Sequence, residues 1–477
     1  MRYINKTDLL IIAKNSSILM MGVGVLCLVP IIVDLLFLEF NAMYYIVPAS
    51  VSIFIGFIFY RFLDKYIIKE MRIKHAMIVS ALSWLWACII CGSILWGVTG
   101  ISFVDAAFES MSALTGSGIT IYSNVEVLPY SILFFRAFQQ WIGGLGIIFI
   151  IIFFLTKPGS ISSFLYQSEA REDQLEPSIN TTIKQSLKIY LIYTALGIIL
   201  YSLAGMSIFD SVCNTFTTIS TGGMSVKNAN IGFYQNDWIY FITMILMILG
   251  ATSFLVHYRV VKTRGKSLIH DLQFQALICL IAVSTLLIYL TSNIVPMDIL
   301  FTVISAVTTT GASVQSTTVM AGWPAFTIFI IIVLMLIGGS NGSTVGAIKL
   351  MRVIIFFKGV YTSVREIISP NGAVLPLKLG GKSLKLKVVR QAGNYITLYL
   401  LCILFTWLLF CLYGHDPFHS LFFTVSMQGN IGLEIGQISQ TMELPLKVVG
   451  MFNMWSGRLE IYPILVTFRA FFEIFKR

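Results

Sequence analysis

The residues whose types and spacing could do chemistry here are small and rich in hydroxyls. Ser305-Ala306-Val307-Thr308-Thr309-Thr310-Gly311-Ala312 lies between two long apolar runs. The pattern recurs as Ser112-Ala113-Leu114-Thr115-Gly116-Ser117-Gly118, Phe216-Thr217-Thr218-Ile219-Ser220-Thr221-Gly222 and Ser426-Met427-Gln428-Gly429-Asn430-Ile431-Gly432. Ten residues before each closing glycine stands an apolar residue (Phe108, Val212, Phe301, Phe422), and slightly further upstream an aspartate (Asp105, Asp210, Asp298, Asp416). Such irregular backbone cannot face lipid, where unpaired N–H and C=O groups are too costly; it must be buried in protein or line water or ions. Carbonyl oxygens from four such loops would replace the hydration shell of a monovalent cation, which is the chemistry of a potassium filter. One copy alone would read as an ordinary loop between helices, but four at a domain-sized period describe one architecture.

Long apolar elements must hold these loops. The 477 residues are 57% hydrophobic and 11% charged, with a mean hydropathy of +0.86. That composition excludes a soluble enzyme and describes a polytopic membrane protein. The net charge of +10 does not require a polyanion partner. The basic residues gather in short loops such as Arg61 to His75 and Arg259 to Lys266, as the positive-inside rule expects, which puts the N-terminus in the cytoplasm. Cys27, Cys88, Cys91, Cys213, Cys279, Cys402 and Cys411 lie in or beside apolar runs and read as buried thiols, with Cys88 and Cys91 packing inside a helix. The first apolar run, from Ser17, follows a basic tail without a cleavage site and reads as a retained helix.

A span needs about 20 apolar residues. Runs at 17–38 and 43–62 make an N-terminal hairpin, with Asp34 near the outer end of the first. Repeat one pairs 76–99 with 129–156, repeat two pairs 187–206 with 236–261, repeat three pairs 272–292 with a span from Phe326, and repeat four pairs 394–413 with a span from 446; Lys157 to Lys184 is a cytoplasmic linker. The expected fold is an all-α polytopic membrane protein, an N-terminal two-helix hairpin plus four pseudo-symmetric helix–pore-loop–helix repeats around one central pore. Its units are 1–66, 67–160, 161–266, 267–357 and 358–477.

The second span of repeat three is interrupted by Gly338-Gly339-Ser340-Asn341-Gly342-Ser343-Thr344-Val345-Gly346 and resumes at Ala347. That density of glycines and hydroxyls unwinds a helix, so the stretch reads as a flexible gate under the filter, with a glycine-mediated helix contact as the alternative. It lacks the Gly-Lys-Ser/Thr ending of a phosphate loop. Lys349 to Arg390 reads as a basic cytoplasmic surface, either solvated or docking a soluble partner. Arg458 and Glu460 sit within the last span, where Arg458 either faces the pore or pairs with Glu460. His415 and His419 flank Asp416-Pro417 without the further ligands a metal needs, and no nucleophile–base constellation suggests an enzyme. The rival class is an ion-coupled secondary transporter: a proton- or sodium-coupled potassium symporter, or a carrier of ammonium or a small solute. Four loops entering from the same side, with Glu460 as the one acid deep in a span, favour a gated pore.

The repeats, the extra hairpin, Arg136 followed by Gln140-Trp141-Ile142-Gly143-Gly144-Leu145-Gly146, Gly250-Ala251-Thr252-Ser253-Phe254 with His257-Tyr258, and Gly338-Gly339 through Lys349 together resemble the Trk/Ktr/HKT superfamily. The extra hairpin is most similar to the bacterial TrkH type. The resemblance implies potassium uptake across a bacterial inner membrane, a homodimer with one pore per protomer, and a cytoplasmic nucleotide-binding regulatory ring of the TrkA type as partner. It implies filter strands at Thr115, Gly116, Ser117, Gly118; Ile219, Ser220, Thr221, Gly222; Thr308, Thr309, Thr310, Gly311; and Gly429, Asn430, Ile431, Gly432. Potassium at these residues is the only bound species implied, with no organic cofactor. The gate would be Gly338, Gly339, Ser340, Asn341, Gly342, Ser343, Thr344 and Gly346, with Arg458 as the basic residue below the filter. Glycine at all four closing positions matches the potassium-preferring pattern, whereas Gln428 and Glu434 depart from the usual fourth loop.

Overall fold

Uninterrupted apolar runs that begin at a good cap form long helices. Leu272–Thr291 starts where the Asp271 side chain accepts the Phe274 N–H (2.9 Å), and a capped start of this kind satisfies one of the orphan donors of the first turn. The structure is a computed structural model and describes residues 5–65, 71–146, 179–263, 266–370, 377–379, 382–436 and 440–475. Among the described residues, six helical stretches are long and apolar enough to cross a membrane: Lys6–Leu36, Ala42–Leu63, Ile73–Thr99, Thr182–Leu203, Leu272–Thr291 and Leu386–Leu412. Large apolar side chains on these helices stay exposed, among them Phe54, Phe57, Leu286, Leu401 and Phe405, an exterior suited to lipid.

Each repeat then follows one plan. After the first span comes a short pore helix: Phe103–Thr115, Ile208–Ile219, Pro296–Val307 or Pro417–Gly429. A loop follows, then the second span: Tyr130–Leu145, Asp237–Ala251, Ala325–Ile337 or Leu444–Arg458. The recurring aspartates start the pore helices. Asp105, Asp210 and Asp298 lie in first turns, and Asp416 is itself an N-cap, accepting the His419 N–H (2.9 Å). Negative charge there complements the positive helix end, and the opposite, electronegative ends lead into the loops.

Several boundaries differ from expectation. The first helix begins at Lys6 rather than near Ser17, because Asn5 and Asp8 form a reciprocal cap (2.8 and 2.9 Å) and Asp8 is buried against Lys74 (2.9 Å) and His75 (2.7 Å). It ends at Leu26, and Asp34 sits in a separate short helix, Ile31–Leu36, where its carboxylate accepts the Asn41 N–H (2.9 Å). The span expected at 129–156 ends as a helix at Leu145; the rest of it, and Lys157 to Lys184 as far as residue 178, lie outside the described residues. Lys349 to Arg390 is not one exposed loop: it contains the helix Leu350–Ile368, the antiparallel pair Lys378–Leu379 with Lys382–Ser383, and the start of Leu386–Leu412.

The largest difference concerns breaks. Expected only in repeat three, they also interrupt repeats two and four. The chain turns by 104° between Asp237–Ala251 and Phe254–Val260. It also breaks between Leu444–Arg458 and Tyr462–Phe475, through Glu460 and Ile461 with φ of 58° and 64°. A β-branched residue in the left-handed region is strained and persists only where surrounding contacts hold it, so no local sequence signal announced this second break.

The N-terminal hairpin packs through small residues, as membrane helices without a hydrophobic drive between them must. A Cβ on Gly56 would lie 2.7 Å from the Ser17 carbonyl oxygen, and one on Gly24 2.6 Å from that of Ala49. Replacing Gly56 by Leu should therefore destabilise the protein by about 1–3 kcal/mol, read as a lower temperature for loss of the monodisperse peak in detergent, whereas the exposed Phe57→Leu should leave that temperature unchanged.

Candidate site: a ring of four loops and the segment packed against it

Four loop segments meet edge to edge. A side chain on Gly118 would run into the Gly222 carbonyl oxygen, one on Gly223 into that of Thr310, one on Gly311 into that of Ile431, and one on Gly432 into that of Ser117. The contacts run from repeat one to two, three, four and back to one, so the ring closes. All four have positive φ (75°, 71°, 75° and 97°), and the lack of a Cβ in glycine permits both that conformation and the close approach.

This ring corrects the register of the second copy. Ser117, Gly222, Thr310 and Ile431 each donate a backbone N–H to Ser112, Thr217, Ser305 and Ser426 (2.9, 2.8, 2.9 and 3.0 Å), so these four positions are equivalent. The closing residue of repeat two is therefore Gly223, its segment is Ser220 to Gly223, and Ile219 is the last residue of the pore helix. The sequence carried the signal: Asp105, Asp210 and Asp298 each stand thirteen residues before Gly118, Gly223 and Gly311. The other positions expected at the site, Thr115 to Gly118, Thr308 to Gly311 and Gly429 to Gly432, fall in the ring together.

Side chains of the second spans, of the pore helices and of the ring itself brace it. Gln140 donates to the Gly222 carbonyl (2.7 Å) and accepts the Met224 N–H (3.1 Å). Asn430 donates to Ser117 Oγ (2.9 Å) and to the Met454 carbonyl (2.8 Å). Gln428 donates to Ser456 Oγ (3.2 Å). Arg136, 2% exposed, binds Glu109 through Nε (2.7 Å), and Glu109 also accepts the Ile121 N–H (2.8 Å). Small residues let the pore-helix ends settle onto the second spans: Gly143 abuts the Leu114 carbonyl, Gly250 that of Ile219 and Gly457 that of Gln428.

On one side of the ring a cavity of about 310 Å³ opens, lined by Gly118, Gly223, Gly311 and Gly432 and by Glu434. Glu434 lies beyond the helices; burial pushes its carboxyl up to about 7, and Glu109 acts in the same direction. On the opposite side lies the broken span of repeat three, from Gly338 to Lys349 and mostly buried. It is stitched to the ring. The Gly346 N–H bonds Thr309 Oγ1 (3.0 Å), the Ala347 N–H the Gly429 carbonyl (3.1 Å), and the Thr344 hydroxyl both Thr221 Oγ1 (3.0 Å) and the Gly250 carbonyl (3.0 Å). Ser340 and Asn341 donate N–H groups to the Ala251 carbonyl (3.0 Å) and Gln273 (2.8 Å), and Phe254 donates its own to the Gly342 carbonyl (3.1 Å). The helix resumes at Leu350, not Ala347.

Arg458 joins this segment to repeat one: Nη1 donates to the Thr344 carbonyl (2.9 Å), and Nη2 to those of Gly144 (2.8 Å) and Gly143. Glu460, one of the two alternatives for Arg458, instead takes Lys349 (2.8 Å) and Arg352. Sequence reasoning placed both cations on a cytoplasmic surface; they are drawn inward by an acid more than a hundred positions away. The two histidines diverge, His415 toward Glu443 (3.2 Å) and His419 toward Asp416 (2.8 Å). The His419 backbone N–H holds the Asp416 carboxyl below its ordinary value. Among the described residues no group of acids, histidines and cysteines is arranged to hold a metal.

The family described as "Cation transport protein" (TrkH) matches residues 48–303 and 295–474. The uncharacterized cation transporter MJ1485 of Methanocaldococcus jannaschii is 38% identical over 94% of this chain and 93% of its own length. The Trk system potassium uptake protein TrkG of Escherichia coli is 30% identical over 84% of this chain and 86% of its own. The crystal structure of the potassium transporter TrkH from Vibrio parahaemolyticus superposes with a TM-score of 0.85 at 26% identity, covering 96% of this chain and 98% of that one.

Replacing Arg136 by Met leaves Glu109 buried without its counter-charge. It should cost about 3–5 kcal/mol, seen as earlier thermal unfolding in detergent, and the double replacement with Glu109→Leu should recover part of that loss.

Proposed function

The chain belongs to the TrkH cation-transport family, and from that premise we propose that it is a membrane-embedded potassium-uptake subunit working as a gated pore. The observation that carries the reading is the closed ring of four glycine-ended loops, with a polar vestibule on one side and a hydrogen-bonded plug on the other. Potassium, the substrate, sheds water into carbonyls of the segments ending at Gly118, Gly223, Gly311 and Gly432. It gains about 2.3 kcal/mol per 100 mV of inside-negative potential. The electronegative pore-helix ends aimed at the ring favour a cation there.

The segment Gly338 to Lys349 is the gate in this reading, and Arg458 its latch, adding a fixed positive charge to the path below the ring. Opening requires Thr344, Gly346 and Ala347 to give up their bonds to Thr221, Thr309 and Gly429. The bacterial inner membrane, a cytoplasmic N-terminus, a homodimer with one pore per protomer and a nucleotide-binding ring of the TrkA type complete the proposal, the ring acting on the helix Leu350–Ile368 that continues the gate.

Two measurements on the purified protein in liposomes test it. Deleting Ser340 to Ser343 should raise potassium and rubidium flux under an inside-negative potential and leave the order of cations unchanged; a changed order would place the segment in the filter. Gly311→Ala, which forces a Cβ onto the Ile431 carbonyl, should reduce potassium flux by at least about tenfold, the effect of roughly 1.4 kcal/mol on a barrier, or lower its preference over sodium. Wild-type flux that appears only with an imposed proton or sodium gradient would overturn the pore in favour of coupled transport.

A further inference from the structure

The corrected register exposes a second ring. Two residues beyond the closing glycines stand Thr120, Ser225, Ser313 and Glu434. All four are half-buried and all four line the vestibule, while the residues just before them, Ile119, Met224, Ala312 and Leu433, are buried in the wall. Three repeats thus present a hydroxyl at this level, and the fourth presents a carboxyl.

The other charges on the wall are occupied. Arg136 is bound to Glu109, whose oxygens also take Thr120 and Ile121. The Lys227 ammonium sits 4.6 Å from the centre of the Phe233 ring. Nearby, the Asp298 carboxylate accepts from Gln315 (2.7 Å). Glu434 Oε2, by contrast, is shielded and has no hydrogen-bond partner among the described residues. A shielded acid oxygen without a partner calls for an explanation, and a bound cation or water supplies one.

We propose that Glu434, with the hydroxyls of Ser225 and Ser313 at its level, makes the vestibule a binding site for a hydrated alkaline-earth cation that obstructs the entrance rather than passing through. A divalent ion feels twice the attraction of a monovalent one to the same carboxylate. Magnesium in particular keeps its waters and is commonly held by only one or two carboxylates. The cavity of about 310 Å³ far exceeds the roughly 10–15 Å³ that one water needs, so the ion enters with its shell. The ring below, built of close-set carbonyls, suits an ion that sheds water readily. Obstruction rests on the pore reading; binding does not.

The test therefore has two arms on the full-length protein at about pH 8, where the carboxyl is ionised. Manganese binding to detergent-purified protein, followed by electron paramagnetic resonance, should give one site per chain that weakens by about tenfold or more in E434Q and is retained in E434D. Rubidium uptake into liposomes should be inhibited by external magnesium, with the half-inhibiting concentration raised in E434Q in the same proportion. Equal manganese binding by wild type and E434Q, with both eluting as the same species, overturns the site. Glu434-dependent binding without rubidium flux in either protein keeps the site and removes the pore reading. Rubidium flux that magnesium inhibits equally in both proteins removes the obstruction.

Discussion

Everything in this protein answers to one constraint: backbone that leaves the helix at membrane depth must find partners within the protein, because lipid offers none. Four stretches of such backbone converge, and the chain satisfies them by bringing loop against loop. Contact that close between Cα and carbonyl oxygen excludes any side chain, which is why Gly118, Gly223, Gly311 and Gly432 occupy the junctions. The demand then spreads outward. Pore-helix ends must approach the second spans, so Gly143, Gly250 and Gly457 stand beside them. Amides, Gln140 within a span and Asn430 in the ring itself, take up exposed carbonyls.

The same constraint explains how a broken helix can lie beside the ring. From Gly338 to Lys349 the backbone is unwound, yet its N–H groups reach Thr309, Gly429, Ala251 and Gln273, and Arg458 gathers carbonyls from this segment and from the end of Tyr130–Leu145. A segment held by hydrogen bonds differs from a packed apolar one in an important way. Each bond contributes about 0.5–1.5 kcal/mol net and can be exchanged for water, so a segment held this way can move without exposing a core.

Some buried charge is paired across repeats. Lys447 of repeat four binds Asp105 of repeat one (2.6 Å), and Lys349 and Arg352 of repeat three hold Glu460 of repeat four. Such pairs contribute little net stability, but losing one partner is costly. Both can be satisfied only when those repeats lie side by side.

The sequence by itself determined the class, the hairpin, the four repeats, the position of three loops and the unwinding of repeat three, since apolar length, glycine density and recurring aspartates are local properties that survive without any partner. For the second loop it held the register only in the spacing from Asp210 to Gly223, the same as from Asp105 to Gly118, and the neighbour that each of the adjacent Gly222 and Gly223 touches makes the choice plain. It could not reveal the breaks at Thr252 and Glu460, which no nearby glycine run announces, or that Glu460 would choose Lys349 and Arg352 over Arg458. Those outcomes depend on groups far apart in the chain competing for the same buried space, and tertiary contact alone settles such a competition.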